Sequence, residues 1–524
     1  MNAWRSFLLV TALTMAPGCG GASGDSSASG DTNASSTTTD DATGPSTGST
    51  SPDDPATATT EHPTTSTSTT PTSTTLPGDS TTGDSTTDVS TTGDSTTGGS
   101  TTGGSTTEGV GDTTGTTTTG PPPDTTTGAT TGTTDGGSSS EGSTTGIGGE
   151  PNVLYVRLDG VNSNPGTADQ PLRTIQWAID QAAQLGSIDT IRVAEGEYTI
   201  DYSNGDHIVM VDGVSLYGGY RADWGERDPA QFVTTIADAS LVTLSSSQTD
   251  PHRAIEIPAG VQAGTVLDGF HIGVARGKYR AAVFVQGDAT IRNNVIEPIV
   301  AIPDIQAYGL RVMGGHPLVV ANRFRFQSPQ DGGAARAIHA SDSNGSFFGN
   351  LLDLSNVPGA AYGIQLSAGA AKVLGNSIYL NGGGSSRGMY LDQMAQPTVD
   401  NNVIEGNGAD VVGCIQSTND ASVPSHARNN LLNCEYMLFG GSPTRLWKTV
   451  VQFENGLGAN ASGNLKLPQV VVSPADDMLL DAQSPCTVTK GGRDITADVP
   501  DDIRGLPRTV PLSIGAHEWD GACQ

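Results

Sequence analysis

The 524-residue sequence predicts an all-β, stacked-repeat protein, on three observations. A strand phrase recurs between about residues 281 and 439: Ala-Val-Phe-Val (282–285), Gly-Leu-Arg-Val (309–312), Ala-Ile-His-Ala (337–340), Gly-Ile-Gln-Leu (363–366), Gly-Met-Tyr-Leu (388–391) and Cys-Ile-Gln-Ser (414–417). Its first apolar residue returns every 25 to 28 positions. An asparagine keeps the same beat at Asn294, Asn322, Asn350, Asn376, Asn402 and Asn430. Two signals marching together at one period mark a solenoid. A coil of this length fits three short strands joined by bends, with successive coils about 4.8 Å apart.

Period-two alternation assigns each phrase its faces. Val283, Leu310, Ile338, Ile364, Met389 and Ile415 form one inward column, and Val285, Val312, Ala340, Leu366, Leu391 and Ser417 a second. The asparagine series reads as a ladder at a bend, its amides bonded along the stack. Residues between the inward columns are expected to face solvent: Phe284, Arg311, His339, Gln365, Tyr390 and Gln416. Just before each strand's small residue stand Tyr308, Arg336, Tyr362 and Arg387. Together these form a Tyr/Arg/His/Gln strip over about four coils, and Tyr308, Arg311, Arg336, His339, Tyr362, Gln365, Arg387 and Tyr390 are the candidate ligand-binding residues. Aromatic faces stack on sugar rings and guanidinium forks pair with uronate carboxylates. The same residues also suit a solvated face in which Tyr and Arg pack on each other.

Ahead of the repeats, composition divides the chain. Residues 20–150 are almost entirely Thr, Ser, Gly, Asp and Pro, with no Lys or Arg. Such a tract buries too little apolar surface to offset the entropy of ordering, so it is expected to be a disordered linker. As a flexible coil it spans roughly 60 Å. It reads equally as a stalk and as a neutral spacer. The net charge is −30, and residues 151–524 still carry 38 acids against 24 bases, which argues against nucleic acid and anionic membrane as partners. A monomer is expected.

Residues 1–19 read as an export signal: Arg5, an apolar run from Phe7 to Met15, then Ala16-Pro17-Gly18-Cys19. The ending resembles a bacterial lipoprotein signal, which implies lipidation of Cys19 and anchoring to the cell envelope, at the outer membrane or cell surface. An ordinary cleaved secretory signal is the other reading. Membrane contact is expected only through that N-terminal lipid.

In the domain at 151–524, residues 151–200 form an N-terminal cap, about 205–470 the coils, and about 471–524 a closing segment. Leu154–Leu158 reads as a strand, and Thr174 as the N-cap of a helix carrying Ile175, Ala178, Ile179, Ala182 and Leu185 on one face. Asp189–Tyr198 reads as strand, turn, strand. Tyr155-Val156, Ser163-Asn164-Pro165-Gly166-Thr167, Pro171-x-x-Thr174-Ile175 and Ala194-Glu195-Gly196-Glu197-Tyr198 resemble the N-terminal module of bacterial right-handed parallel β-helix proteins, the pectate-lyase-like superfamily. That resemblance implies a right-handed parallel β-helix of about 9–11 coils, with the helix capping its first open edge. Ser484-Pro485-Cys486, Asp502-Ile503-Arg504-Gly505 and Ser513-Ile514-Gly515-Ala516-His517-Glu518 resemble the closing segment of such surface proteins and are expected to cover the last coil.

With Cys19 assigned to lipid, four cysteines remain, and the expected disulfides are Cys414–Cys434 and Cys486–Cys523. No metal-ligand pattern is read among them. Asp159, Asn162 and Asn164 suit a tight turn, with a calcium loop as the other option; calcium is otherwise unsupported and no cofactor is expected. Asp250-Pro251-His252 resembles a short motif of alginate epimerases and lyases, in which a His and a Tyr exchange protons with a uronate. Asp250 and His252 are therefore the catalytic candidates. The expected function is binding of extended polysaccharide, or adhesion, at the cell surface. A polysaccharide lyase or epimerase on uronate-containing glycans and a structural envelope protein are the alternatives.

Overall fold

Three consecutive strands show how one coil is built. Thr290–Arg292 runs into a bend at Asn293, the chain continues as Val295–Pro298, and Gln306–Met313 completes the circuit. Strands of successive coils pair in parallel, and among the described residues they form sheets of 11 strands (sheet A), 9 strands (sheet B) and 10 strands (sheet C), the last including one antiparallel end strand. The computed structural model describes residues 150–522 apart from 240–246, 248, 275–278, 299–305, 327–333, 358, 381–384, 407–410, 442–443, 469–471 and 473–476. The expected signal, Cys19, the linker up to residue 149 and Cys523 lie outside the described residues.

The bend between sheets A and B is the sharpest. The residue before each ladder asparagine takes a left-handed backbone, with φ of 55° at Asn293, 55° at Ala321, 64° at Gly375 and 57° at Asn401. Asn and Gly tolerate that conformation and reverse the chain within two residues. The asparagine that follows is fully buried. Its amide donates to the next asparagine's Oδ1, as from Asn376 to Asn402 at 2.9 Å, and to a strand carbonyl, here Phe347 O at 2.9 Å. The ladder runs one rung beyond the sequence pattern, to Asn464, whose Oδ1 accepts from Asn430 Nδ2 at 2.9 Å. The insertion of helix α2 (Val450–Leu457) lengthens that coil and hides the rung from the periodicity.

Both inward columns hold: Val283, Leu310, Ile338, Ile364, Met389 and Ile415 pair in register along sheet C and are fully buried. The small residue opening each phrase has a steric cause. A Cβ on Gly388 would stand 2.2 Å from Ile404 Cγ2 of sheet B, because the two sheets converge at this corner. Cys414 takes the same place in the last phrase and bonds to Cys434, with Cα atoms 5.4 Å apart. Cys486 is also disulfide-bonded.

Helix α1 (Ile175–Leu185) covers the open end with Ile175, Ala178, Ile179 and Ala182, while Leu185, expected in the same stripe, is exposed beside the Gly186 C-cap. Thr174 is the N-cap without a side-chain cap bond. Asn162 Oδ1 instead accepts the backbone N–H of Arg173 and of Thr174, at 3.0 and 3.1 Å, and Asp159 pairs with Arg157 at 2.5 Å. These contacts fit the loop to the turn reading.

The closing segment departs from expectation. It reaches the last coil only at its side, on Leu431 of sheet B, and does not close the end of the stack. That end is closed by α2, whose Thr449–Gln452 capping box seats Phe453 in the core, and by the antiparallel strand Arg445–Trp447. The segment lies along the side of the stack, where Val472, Met478, Leu480, Val488 and Ile514 cover Leu351, Tyr379, Val403 and Leu431 of sheet B. The reason is chemical: the outward positions of those coils are apolar and need covering.

Candidate ligand-binding face

The expected strip forms as two outward ladders on sheet C. One runs Arg253, Ala281, Tyr308, Arg336, Tyr362, Arg387 and Gly413; the other runs Glu256, Phe284, Arg311, His339, Gln365, Tyr390 and Gln416. Parallel in-register stacking brings these residues within one strand spacing of each other. Long side chains at that spacing lean over their neighbours, so outward is not the same as exposed.

That is the main correction. Tyr308, Arg311, His339 and Arg387, expected to face solvent, are buried, and so is Phe284. Arg336, Tyr362, Gln365 and Tyr390 remain partly exposed. The Arg336 guanidinium lies 5.5 Å from the Tyr308 ring centre and 4.9 Å from that of Tyr362, so one cation bridges two aromatic faces. The Tyr362 and Tyr390 rings meet edge to face at 5.6 Å. Arg336 Nε donates to Gln365 Oε1 at 2.6 Å, and Arg387 repeats the pattern one coil on by donating to Gln416 Oε1. The His339 ring stacks on Tyr308 at 5.5 Å.

Burial sets the charge state here. It lowers the Arg311 guanidinium pKa and raises the Tyr308 hydroxyl, the latter against Arg336 and Arg311. His339 is driven well below its ordinary value by burial first and then by Arg311 and Arg336, so it is neutral at pH 7. Two polar atoms of the strip, His339 Nδ1 and Arg336 Nη1, are buried without a hydrogen-bond partner among the described residues. Between Tyr308 and Gln416 neither ladder contains an acid. Among the described residues no group of three or more His, Cys, Asp or Glu side chains is placed to hold a metal ion.

The catalytic candidates do not converge. Asp250 is exposed and binds Arg253 at 2.6 Å. His252 is buried, its Nε2 2.7 Å from Asp238 Oδ2, with the Tyr202 ring stacked on it at 4.2 Å. Arg280 pairs with His252 across sheet C, and burial lowers its pKa to about 10 against the opposing pull of Asp238. This interior constellation spans three coils, and no spacing in the sequence marks it. With no exposed area on the His252 or Asp238 side chain, it reads as a buried polar junction of the first coils.

Two family models match the chain: "Right handed beta helix region" over residues 271–434 and "Protein of unknown function (DUF1565)" over residues 158–345. The domain is a right-handed parallel β-helix. Among solved structures the β-helix is similar to a rhamnogalacturonan lyase, at 13% identity and a TM-score of 0.35, covering 69% of this chain and 96% of that one. A comparison with curated proteins returned no match. Sheet C of the β-helix therefore stands as the candidate site on its own geometry.

Proposed function

We propose that the protein binds extended polysaccharide along sheet C, and that it is exported and held at the cell envelope by lipid on Cys19. The observation carrying the reading is the accessible patch of Arg336, Tyr362, Gln365 and Tyr390, in which two phenol rings and a guanidinium are fixed by neighbours one coil apart. Fixed rings offer stacking faces to pyranose C–H surfaces at little entropic cost. The ladder direction runs along the solenoid, which suits a polymer better than a small molecule.

The test is retention of the purified protein on immobilised glycans, with a uronate-containing panel followed separately for absorbance of unsaturated products. Tyr362→Ala with Tyr390→Ala should cut retention on the order of tenfold or more, two stacking contacts being worth about 1 kcal/mol each or above. Retention unchanged by both substitutions overturns the reading. Product formation would replace it with a lyase, and failure of both assays would leave a structural envelope protein. Cys19→Ala should release the protein from membranes.

A further inference from the structure

We propose that the cleft between the outward face of sheet B and the closing segment is a second binding site, for carboxylate-bearing oligosaccharides, and that Asp477 of the closing segment occupies it as an intramolecular stand-in for the ligand. The site lies on a different sheet from the proposed polysaccharide face and does not rest on that reading.

The cleft consists of two adjoining volumes of about 580 and 470 Å³ that share Arg323, Arg325 and Asp477. Arg323 and Arg325 flank the inward Phe324 on one short strand, so both point outward on the same face. Asp477 Oδ2 accepts from Arg323 Nη1 at 2.7 Å and its Oδ1 from Arg325 Nη2 at 2.5 Å. One carboxylate is therefore divided between two guanidinium groups, one oxygen to each, as a ligand carboxylate would be held.

The stand-in is delivered from 152 residues away. Asp477 and Met478 both take left-handed backbone, with φ of 53° and 57°. That conformation is costly for ordinary side chains, and here it aims the Asp477 carboxylate back over sheet B while Met478 is seated in the apolar contact beneath. Asp477 itself remains exposed, as does Arg325, so the pair is open to competition from solvent.

The rest of the lining explains why the occupant is a sugar acid. Further along the cleft stand Asn293 and His271, which hydrogen-bond, and Pro229, Val295 and Ile503, which offer apolar contact. His271 is held below its ordinary pKa by burial, so it is neutral at pH 7. Arg227 and Arg504 border the cleft and are engaged by Asp268 and Asp502, at 2.7 and 2.9 Å, which fixes them as walls. Asp228 and Asp353 also line the cleft, one oxygen of each accepting a turn N–H, from Ala230 and Ser355, at 2.9 Å. Beside them, the neutral hydrogen-bonding groups, apolar patches and paired-guanidinium subsite match the hydroxyls, C–H faces and carboxylate of a uronate-containing chain.

Oligogalacturonate binding to the full chain, measured by calorimetry in a Tyr362→Ala/Tyr390→Ala background, tests this separately from the sheet C site. Asp477→Asn should bind on the order of tenfold more tightly than that background, because a competing charge-assisted contact is removed. Asp477→Glu should show no gain, and adding Arg323→Gln and Arg325→Gln to Asp477→Asn should abolish it. With Asp477 intact, weak binding that is lost on Arg323→Gln/Arg325→Gln supports the same site without altering the closing segment. No gain from Asp477→Asn in a protein of unchanged circular dichroism overturns the proposal, leaving Asp477 as a clamp. An equal gain for poly-glutamate overturns the assignment to oligosaccharide, and an equal gain for neutral dextran overturns the role of the carboxylate.

Discussion

Asn376 is bonded at every polar side-chain atom. Its Oδ1 accepts from the backbone and the amide of Asn350, at 3.0 and 2.9 Å, and its Nδ2 donates to Asn402 Oδ1 and to Phe347 O. Removing the amide strands buried groups on both neighbouring coils, each costing about 1–3 kcal/mol when unsatisfied. Asn376→Ala should therefore destabilise the domain by about 2–5 kcal/mol, read from the shift in a urea unfolding midpoint. Asn376→Asp should do no better, since it keeps the acceptor but loses both donors and buries a charge. A loss below about 0.5 kcal/mol for both would mean that the ladder is decorative. This residue was legible in the sequence as a beat of asparagines, and its role followed from the period alone.

At the scale of an element, legibility depended on whether an element's partners recur with it. The inward columns could be read because Val283, Leu310 and Ile338 each repeat one coil apart. The exposure of the outward ladder could not, because Tyr308 is covered by side chains one coil away whose reach, not polarity, decides the matter. Nor could the path of the closing segment, which binds strands over a hundred residues earlier. That segment contains a pH-sensitive contact. His517 Nδ1 accepts the backbone N–H of Leu480 at 2.9 Å. Its pKa falls from 6.5 to about 4, by burial first and then by Arg504 and against the pull of Asp502. Between those values the unfolded chain takes up a proton that the folded chain refuses, so this contribution is present above about pH 6.5 and is lost as pH falls toward 4. Glu518, whose pKa is raised by burial, acts with the opposite sign, its contribution fading as pH rises. His517→Asn keeps an acceptor for Leu480 and removes the titration, so urea midpoints of the variant should decline less steeply over that interval than those of the parent. Parallel profiles would sink the assignment.

For the whole molecule, an open stack has two ends, and its coherence depends on closing both. A terminal coil presents a row of unpaired N–H and C=O groups that can template pairing with another chain. Helix α1 covers one end; at the other, α2 lies on strands Tyr436–Gly440 and Ala461–Ser462 and holds there by Phe453, which is fully buried and meets the Trp447 ring edge-on at 6.3 Å. Phe347, in the middle of sheet A, is buried to the same extent but has coils on both sides. Phe453→Ala and Phe347→Ala should each destabilise the domain by about 3–5 kcal/mol, since each opens a cavity of the same size. Their consequences should then diverge. Loosening α2 uncovers an edge, so Phe453→Ala should self-associate with rising concentration in light scattering, whereas Phe347→Ala should stay monodisperse over the same range. Equal self-association by both would attribute the effect to lost stability alone. Association confined to Phe453→Ala would establish that α2 acts as an end cap, which is what a solenoid of stacked nearest-neighbour contacts requires of its last coil.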